Sequence, residues 1–226
     1  MAMKEWVRLP TKWIQSGGLR RFHWDANRGS DNIASLMALL AIAHHADDES
    51  GVAKLTYTDL AICTNLSRAK LSGGLNVLEE NNIIDREPHG RSTYRLVNYG
   101  PAPWGKLPAR RLYQHGRIAA LSDFYLRKPV ELNALKLFFL VVERRNNNTN
   151  FANISYEKIH EHSGIQRYHI KSAISLLAAN GLLYVEHVPS EVSDYGISNA
   201  YRLPYIDPYS HMGTIGRGLD ATDFLA

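Results

Sequence analysis

Thr56-Tyr57-Thr58-Asp59-Leu60 and Ser155-Tyr156-Glu157-Lys158-Ile159 align at an offset of 99 residues. The match extends in both directions from these two stretches. At the same offset Leu66 meets Ile165, Arg68 meets Arg167, Leu71 meets Ile170, Leu75 meets Ile174 and Leu78 meets Leu177. Asn81-Asn82-Ile83-Ile84 then meets Asn180-Gly181-Leu182-Leu183, and both copies reach the tripeptide Tyr94-Arg95-Leu96 or Tyr201-Arg202-Leu203. Upstream, Trp6-Val7-Arg8-Leu9-Pro10 is echoed by Trp104-Gly105-Lys106-Leu107-Pro108 at an offset of 98. A period near 100 is too long for a solenoid and implies two copies of one domain. The division expected is 1–100, a first domain with its lead-in; 101–206, a second domain with a basic connector; and 207–226, a tail with little apolar periodicity.

Each copy spells the same order of elements. In the first, Asp31 can cap a helix to about Ala46 whose core face is Ile33, Leu36, Met37, Leu40 and Ala43. A short strand at Lys54–Thr56 follows. A helix opening at Thr56 or Thr58 runs through Cys63, a tight turn holds Thr64-Asn65-Leu66, and Ser67 caps a helix to about Asn81. Ile83–Glu87 and Thr93–Val97 then read as a hairpin tipped by Pro88-His89-Gly90-Arg91-Ser92. In the second copy the corresponding helices are Val130–Arg145, Tyr156–Ser163 and Arg167–Asn180, and the strands are Leu182–Val188 and Ala200–Leu203. The fold class expected is mainly α with small β-hairpins, α+β.

This order, carried by the Tyr57–Ile84 segment and its repeat, resembles the winged helix-turn-helix superfamily in both copies. The resemblance implies two tandem winged helix-turn-helix domains. In such a unit Leu60, Leu66, Leu71, Leu75 and Leu78 lock two helices so that the third projects its other face toward a major groove. The candidate DNA-binding residues of the first copy are therefore Ser67, Arg68, Lys70, Ser72, Gly73 and Asn76. Arg68 suits a guanine edge and Lys70 a phosphate. The Gly73-Gly74 pair fits either close approach of backbone to DNA or close packing against the second helix, since each glycine costs about 1 kcal/mol in a helix interior. The same phasing selects Gln166, Arg167, Tyr168, Lys171, Ser172 and Ser175 in the second copy. The Arg68/Arg167 pair fits base contact, a surface ion pair or a relic of duplication. His89 and Arg91 suit a wing tip on phosphate. Glu191 and Asp194 would be repelled by phosphate, which leaves the 189–199 loop for a protein contact or a plain surface.

Charge agrees with a polyanionic partner. Net charge is +4, and six Lys or Arg against two acids lie between Met1 and Arg28. Six more against one acid lie between Lys106 and Lys128, a connector expected to cross the phosphate backbone with Arg110 and Arg111 as candidate DNA-binding residues. A solvated surface would carry the same charges. The single Cys63 excludes an intramolecular disulfide and suits a reducing compartment. No apolar signal core opens the chain, and the stretch Ile33–Ala43 is far short of the roughly 20 residues that cross a bilayer, so a cytoplasmic, nucleoid-associated protein without membrane contact is expected. His160, His162 and His169 with Glu161 lack metal-ligand spacing, because residues two apart do not share a helix face. His44-His45 reads as a helix end favoured by the dipole, and Tyr57 and Tyr156 as packing residues. With no phosphate loop, nickase motif or catalytic triad pattern, neither enzymatic activity nor a cofactor is expected.

Tandem winged helices in one short chain without a ligand-sensing domain resemble the replication initiators of plasmids and related mobile elements. The resemblance is one of architecture. It implies sequence-specific binding to double-stranded DNA of a plasmid, phage or integrative element, and is compatible with a homodimer. A transcriptional repressor of the same build and a non-catalytic interaction scaffold are the alternatives.

Overall fold

The computed structural model describes residues 3–86, 92–101, 103–189 and 197–206. The first copy consists of β1 (Trp6–Pro10), α1 (Lys12–Gln15), a 3-10 turn (Gly18–Arg21), α2 (Gly29–His45), β2 (Val52–Lys54), α3 (Tyr57–Thr64), α4 (Arg68–Glu80), β3 (Ile84–Arg86) and β4 (Thr93–Leu96). The second consists of β5 (Trp104–Pro108), a 3-10 turn (Arg110–Leu112), the hairpin β6 (Tyr113–Gln114) and β7 (Arg117–Ile118), α5 (Pro129–Arg144), β8 (Phe151–Asn153), α6 (Tyr156–Ser163), α7 (Arg167–Ala179), β9 (Tyr184–Pro189) and β10 (Ile197–Arg202). The fold is α+β, with seven α-helices and small antiparallel sheets among the described residues.

Local chemistry accounts for the helix boundaries. Thr56 caps α3 through a full capping box: its hydroxyl accepts from Asp59 N–H while the Asp59 carboxylate accepts from Thr56 N–H. Ser67 and Ser155 cap α4 and α6 by accepting from the N–H groups of Lys70 and Lys158. The turns out of α3 and α6 use left-handed residues at equivalent positions, Asn65 (φ 58°) and Gly164 (φ 72°). The turns out of α4 and α7 do the same with Asn82 (φ 55°) and Gly181 (φ 65°). Asparagine and glycine are the residues that tolerate this conformation, so each copy keeps the geometry with a different residue.

Two helix-level expectations change. Asp31 lies within the first turn of α2 and does not cap it; the entering chain is held instead by Asp25, whose Oδ1 accepts from Asn27 and Arg28 N–H. Nor does α2 have a single core face: every residue from Asn32 to His44 is buried. It is enclosed by α4, α5, α3 and β1, and the small side chains Ala34, Ser35, Ala38 and Ala41 let these neighbours approach its remaining sides. The sheet of each copy joins the strand before the helix pair to the returning hairpin strand, in the orders β2-β4-β3 and β8-β10-β9.

The lead-ins are where the two copies meet. They fold into an antiparallel ribbon in which Trp6 faces Pro108, Arg8 faces Lys106 and Pro10 faces Trp104. Equivalent residues thus occupy mirror places about the Arg8–Lys106 pair, which is the register a local twofold axis produces. The helices α2 and α5, also equivalent, pack on one another. One hydrophobic cluster contains core residues of both copies. Gly105 shows how closely the ribbon sits: a Cβ there would lie 2.4 Å from the Val142 carbonyl oxygen, although its counterpart Val7 has a side chain.

Beyond the ribbon each lead-in crosses to the other copy, a placement that the expected division into 1–100 and 101–206 does not contain. Trp13 packs edge-on against Phe139 of α5, and Lys136 of α5 donates to the Phe22 carbonyl at 2.7 Å. Burial lowers the Lys136 pKa to about 8. In the opposite direction the connector hairpin covers α2 and α3. His44 Nε2 lies 2.8 Å from the Pro108 carbonyl oxygen and its Nδ1 3.0 Å from the Tyr113 hydroxyl. A carbonyl can only accept, so Nε2 carries the proton and Nδ1 accepts from Tyr113. Burial drives the His44 pKa down to about 3, overriding the helix dipole that would favour its cation.

Candidate nucleic-acid interface

The two helices that follow the tight turns, α4 and α7, each bury one face and leave the other outside. Leu71, Leu75 and Leu78 of α4 are fully buried, as are Ile170 and Leu177 of α7. The opposite face of α4 exposes Ser67, Arg68 and Asn76, with Lys70, Ser72 and Gly73 half-buried. On α7, Gln166, Arg167, Tyr168, Lys171, Ser172 and Ser175 are all exposed. Tyr168 stands out at 76% exposure, because a tyrosine that contributes nothing to the core is available for an apolar contact.

Arg68 and Arg167 make equivalent contacts. Arg68 Nη2 donates to the Thr58 hydroxyl at 3.2 Å, and Arg167 Nη2 to the Glu157 carboxylate at 2.7 Å. Thr58 and Glu157 are themselves equivalent, each in the first turn of the preceding helix. Both arginines therefore rest at the mouth of their helix pair. The Arg167–Glu157 pair is exposed on both sides, so it is worth about 0–1 kcal/mol and yields readily to another anion.

Other expected residues are engaged within the protein. Lys70 donates to Ser30 Oγ at 2.6 Å and to Asp31 Oδ1 at 3.0 Å, tying α4 to the start of α2. The glycine pair faces α2, not α3: a Cβ at Gly73 would lie 2.7 Å from the Asp31 carboxyl, and one at Gly74 2.8 Å from the backbone of Ala34 and Ser35. Close packing on the α2 backbone therefore explains Gly74, whereas Gly73 faces only the movable end of the Asp31 side chain. Asn76 accepts from Arg86 at 2.8 Å, and Arg86 also binds Glu79, holding that carboxyl below its usual range. On α7 the Ser172 and Ser175 hydroxyls donate back to the His169 and Lys171 carbonyls. His89, Arg91, Glu191 and Asp194 lie outside the described residues.

The electrostatics of the two faces differ. Helix α7 contains no acid from Arg167 to Ala179, whereas α4 ends in Glu79-Glu80. The basic connector is less available than its composition suggests. Arg110 and Arg111 both pair with Glu5, and Lys106 is buried with its ammonium 4.8 Å from the centre of the Trp6 ring. Arg117, Arg127 and Lys128 remain exposed.

Three basic residues that periodicity did not single out border these faces. Arg86 comes from β3. Arg20 reaches the end of α6, where Nη1 donates to the Glu161 carbonyl at 3.4 Å, and its side chain covers Gly164 in the turn that follows. Arg117 sits in the connector hairpin beside α3. The charge counts of the lead-ins were the available signal, but nothing in them tells which copy each lead-in covers.

The histidines of α6 and α7 are also occupied. His160 Nδ1 lies 2.9 Å from the Ile165 carbonyl, and His162 lies against Arg144, with burial foremost in lowering its pKa. No group of three potential metal ligands comes together among the described residues. Tyr57 and Tyr156 pack, half-buried, against the core. No helix among the described residues is long and apolar enough to cross a membrane. No protein-family model matches the chain, and no curated protein matches it significantly.

Proposed function

We propose that the chain is a sequence-specific double-stranded-DNA-binding protein built of two winged helix-turn-helix units. The observation that carries this reading is the equivalent placement of Arg68 and Arg167. Each lies at the exposed N-terminal end of a helix whose other face is locked into the core. Such a helix presents a forked, permanently charged donor at the point where recognition helices meet base edges. The weak contacts to Thr58 and Glu157 hold each arginine in reach without committing it.

The internal twofold adds geometry. Two related helices, α4 and α7, joined through a ribbon of twofold register suit two related half-sites in inverted orientation. One chain then supplies the symmetry that a homodimer otherwise provides. The architecture, together with the resemblance noted above, favours the role of a replication initiator of a plasmid, phage or integrative element.

Selection of bound fragments from random DNA, followed by gel shifts, tests the reading. Recovery of a defined site whose binding weakens with Arg68→Ala or Arg167→Ala supports it; absence of any salt-dependent DNA affinity overturns it and favours an interaction scaffold. Repeated sites beside an A·T-rich segment support the initiator role, and a single operator overlapping a promoter replaces it with a repressor.

A further inference from the structure

We infer that the exchanged lead-ins serve as phosphate clamps, with Arg20 and Arg117 as the binding groups, each acting beside the helix pair of the copy to which it does not belong. The inference rests on the DNA-binding reading and adds residues and geometry to it.

The two arginines lie 97 residues apart, one place off the lead-in's offset of 98, Arg20 in a 3-10 turn and Arg117 in a hairpin strand. The 3-10 turn carrying Arg20 packs on α6, and β7 carrying Arg117 packs on α3. Those are the first helices of the two helix pairs. In a helix-turn-helix bound to DNA, the first helix crosses the sugar-phosphate backbone while the second enters the groove. A cation fixed beside that first helix is therefore placed over phosphate.

Local structure holds the Arg20 side chain and the Arg117 backbone near this place. Arg20 lies along Gly164, the left-handed turn residue three positions before Arg167, with its Cγ at 3.6 Å from where a Cβ would be. Its hydrogen bond is to a neutral carbonyl, and the nearby Glu161 carboxylate is already paired with Lys158. Arg117 follows a two-residue turn, His115 (φ 51°) and Gly116 (φ 79°), the geometry of a tight hairpin. A Cβ at Gly116 would lie 3.7 Å from Ile62 of α3, so the tip sits beside that helix. Both arginines are exposed, and neither forms an ion pair among the described residues. This contrasts with Arg110 and Arg111, which share Glu5.

The test uses the full chain and a DNA fragment selected by it, with an unrelated fragment alongside. Arg20→Gln/Arg117→Gln should weaken both fragments by the same factor. It should flatten the slope of log affinity against log salt by about two, so that the gap from the unaltered chain narrows about tenfold between 50 and 200 mM salt. Arg20→Lys/Arg117→Lys should retain the slope, and thermal melting should be unchanged in both. If the unaltered chain binds with a steep salt slope and the glutamine variant keeps that slope, the clamps are refuted while the DNA-binding reading stands. If the unaltered chain binds neither fragment, the reading beneath them is refuted as well.

Discussion

Arg8 and Lys106 face each other across the β1–β5 ribbon, and each lies over the tryptophan of the other strand. Arg8 sits 5.1 Å from the centre of the Trp104 ring and Lys106 4.8 Å from that of Trp6. The two indoles are parallel to within 1°. A cation over an aromatic face is attracted by the ring quadrupole, and here the contact is made twice by equivalent residues. The duplicated lead-in thus pairs with its own copy, making one scaffold of two units.

The closeness of that scaffold makes Gly105 intolerant. Gly105→Val reproduces the residue at the equivalent position 7, yet its Cβ would meet the Val142 carbonyl oxygen at 2.4 Å. We expect destabilisation of about 1–3 kcal/mol, the range for overpacked sites. Urea unfolding followed by circular dichroism measures it, and an unchanged midpoint would refute the close approach.

The crossed lead-ins predict where damage appears. Trp13→Ala removes packing against Phe22 and Phe139, at a cost of about 3 kcal/mol. Although Trp13 belongs to the first copy by sequence, hydrogen exchange should quicken in α5 and α6 more than in α3 and α4. Loss confined to α3 and α4 would contradict the exchange.

His44 gives stability a pH signature. Its pKa is about 6.5 unfolded and lowered to about 3 when folded, so the unfolded chain takes up the proton first. Stability from this group is complete above pH 6.5 and is lost as pH falls toward 3. Between pH 7 and 5 the loss should be about 2 kcal/mol. His44→Leu should lower stability at pH 7, leaving Tyr113 and the Pro108 carbonyl without their partner, but remove this slope. Urea melts at pH 5, 6 and 7 compare the two proteins; equal slopes would show that His44 is not buried neutral.

Glu157 restrains Arg167, and releasing that arginine should be visible in binding. Glu157→Gln removes a carboxylate 2.7 Å from the guanidinium. On the proposed DNA-binding role, affinity for DNA should rise several-fold, with a steeper salt dependence, since one negative charge leaves the proposed interface. Weaker binding in a gel shift would mean that Glu157 itself contacts the target.

Much of this was legible before the structure. Ser67 marks the start of α4 because capping chemistry is local, and the buried leucines of α4 follow from periodicity. The exposed face of α7 follows from the same phasing. What remained hidden depended on partners far along the chain. The offset of 98 shows that Trp6–Pro10 and Trp104–Pro108 are duplicates, but not that they pair with each other. The Gly73-Gly74 pair marks a close approach without naming α2 as the neighbour. His44 shares the sequence context of a surface helix end, and only the arrival of Pro108 and Tyr113 buries it. Lys70 and Arg110 look like free cations until Asp31 and Glu5 are placed beside them.

The most direct measurement is the form and stoichiometry of the DNA site, obtained by selecting fragments with the purified full chain and footprinting the winner. The expected result is two related half-sites in inverted orientation, bound by one chain, with Arg68→Ala relaxing one base pair in one half and Arg167→Ala one in the other, each at about 1–3 kcal/mol. Failure to select any sequence, or a selected site on which both variants bind as the unaltered chain does, would contradict it.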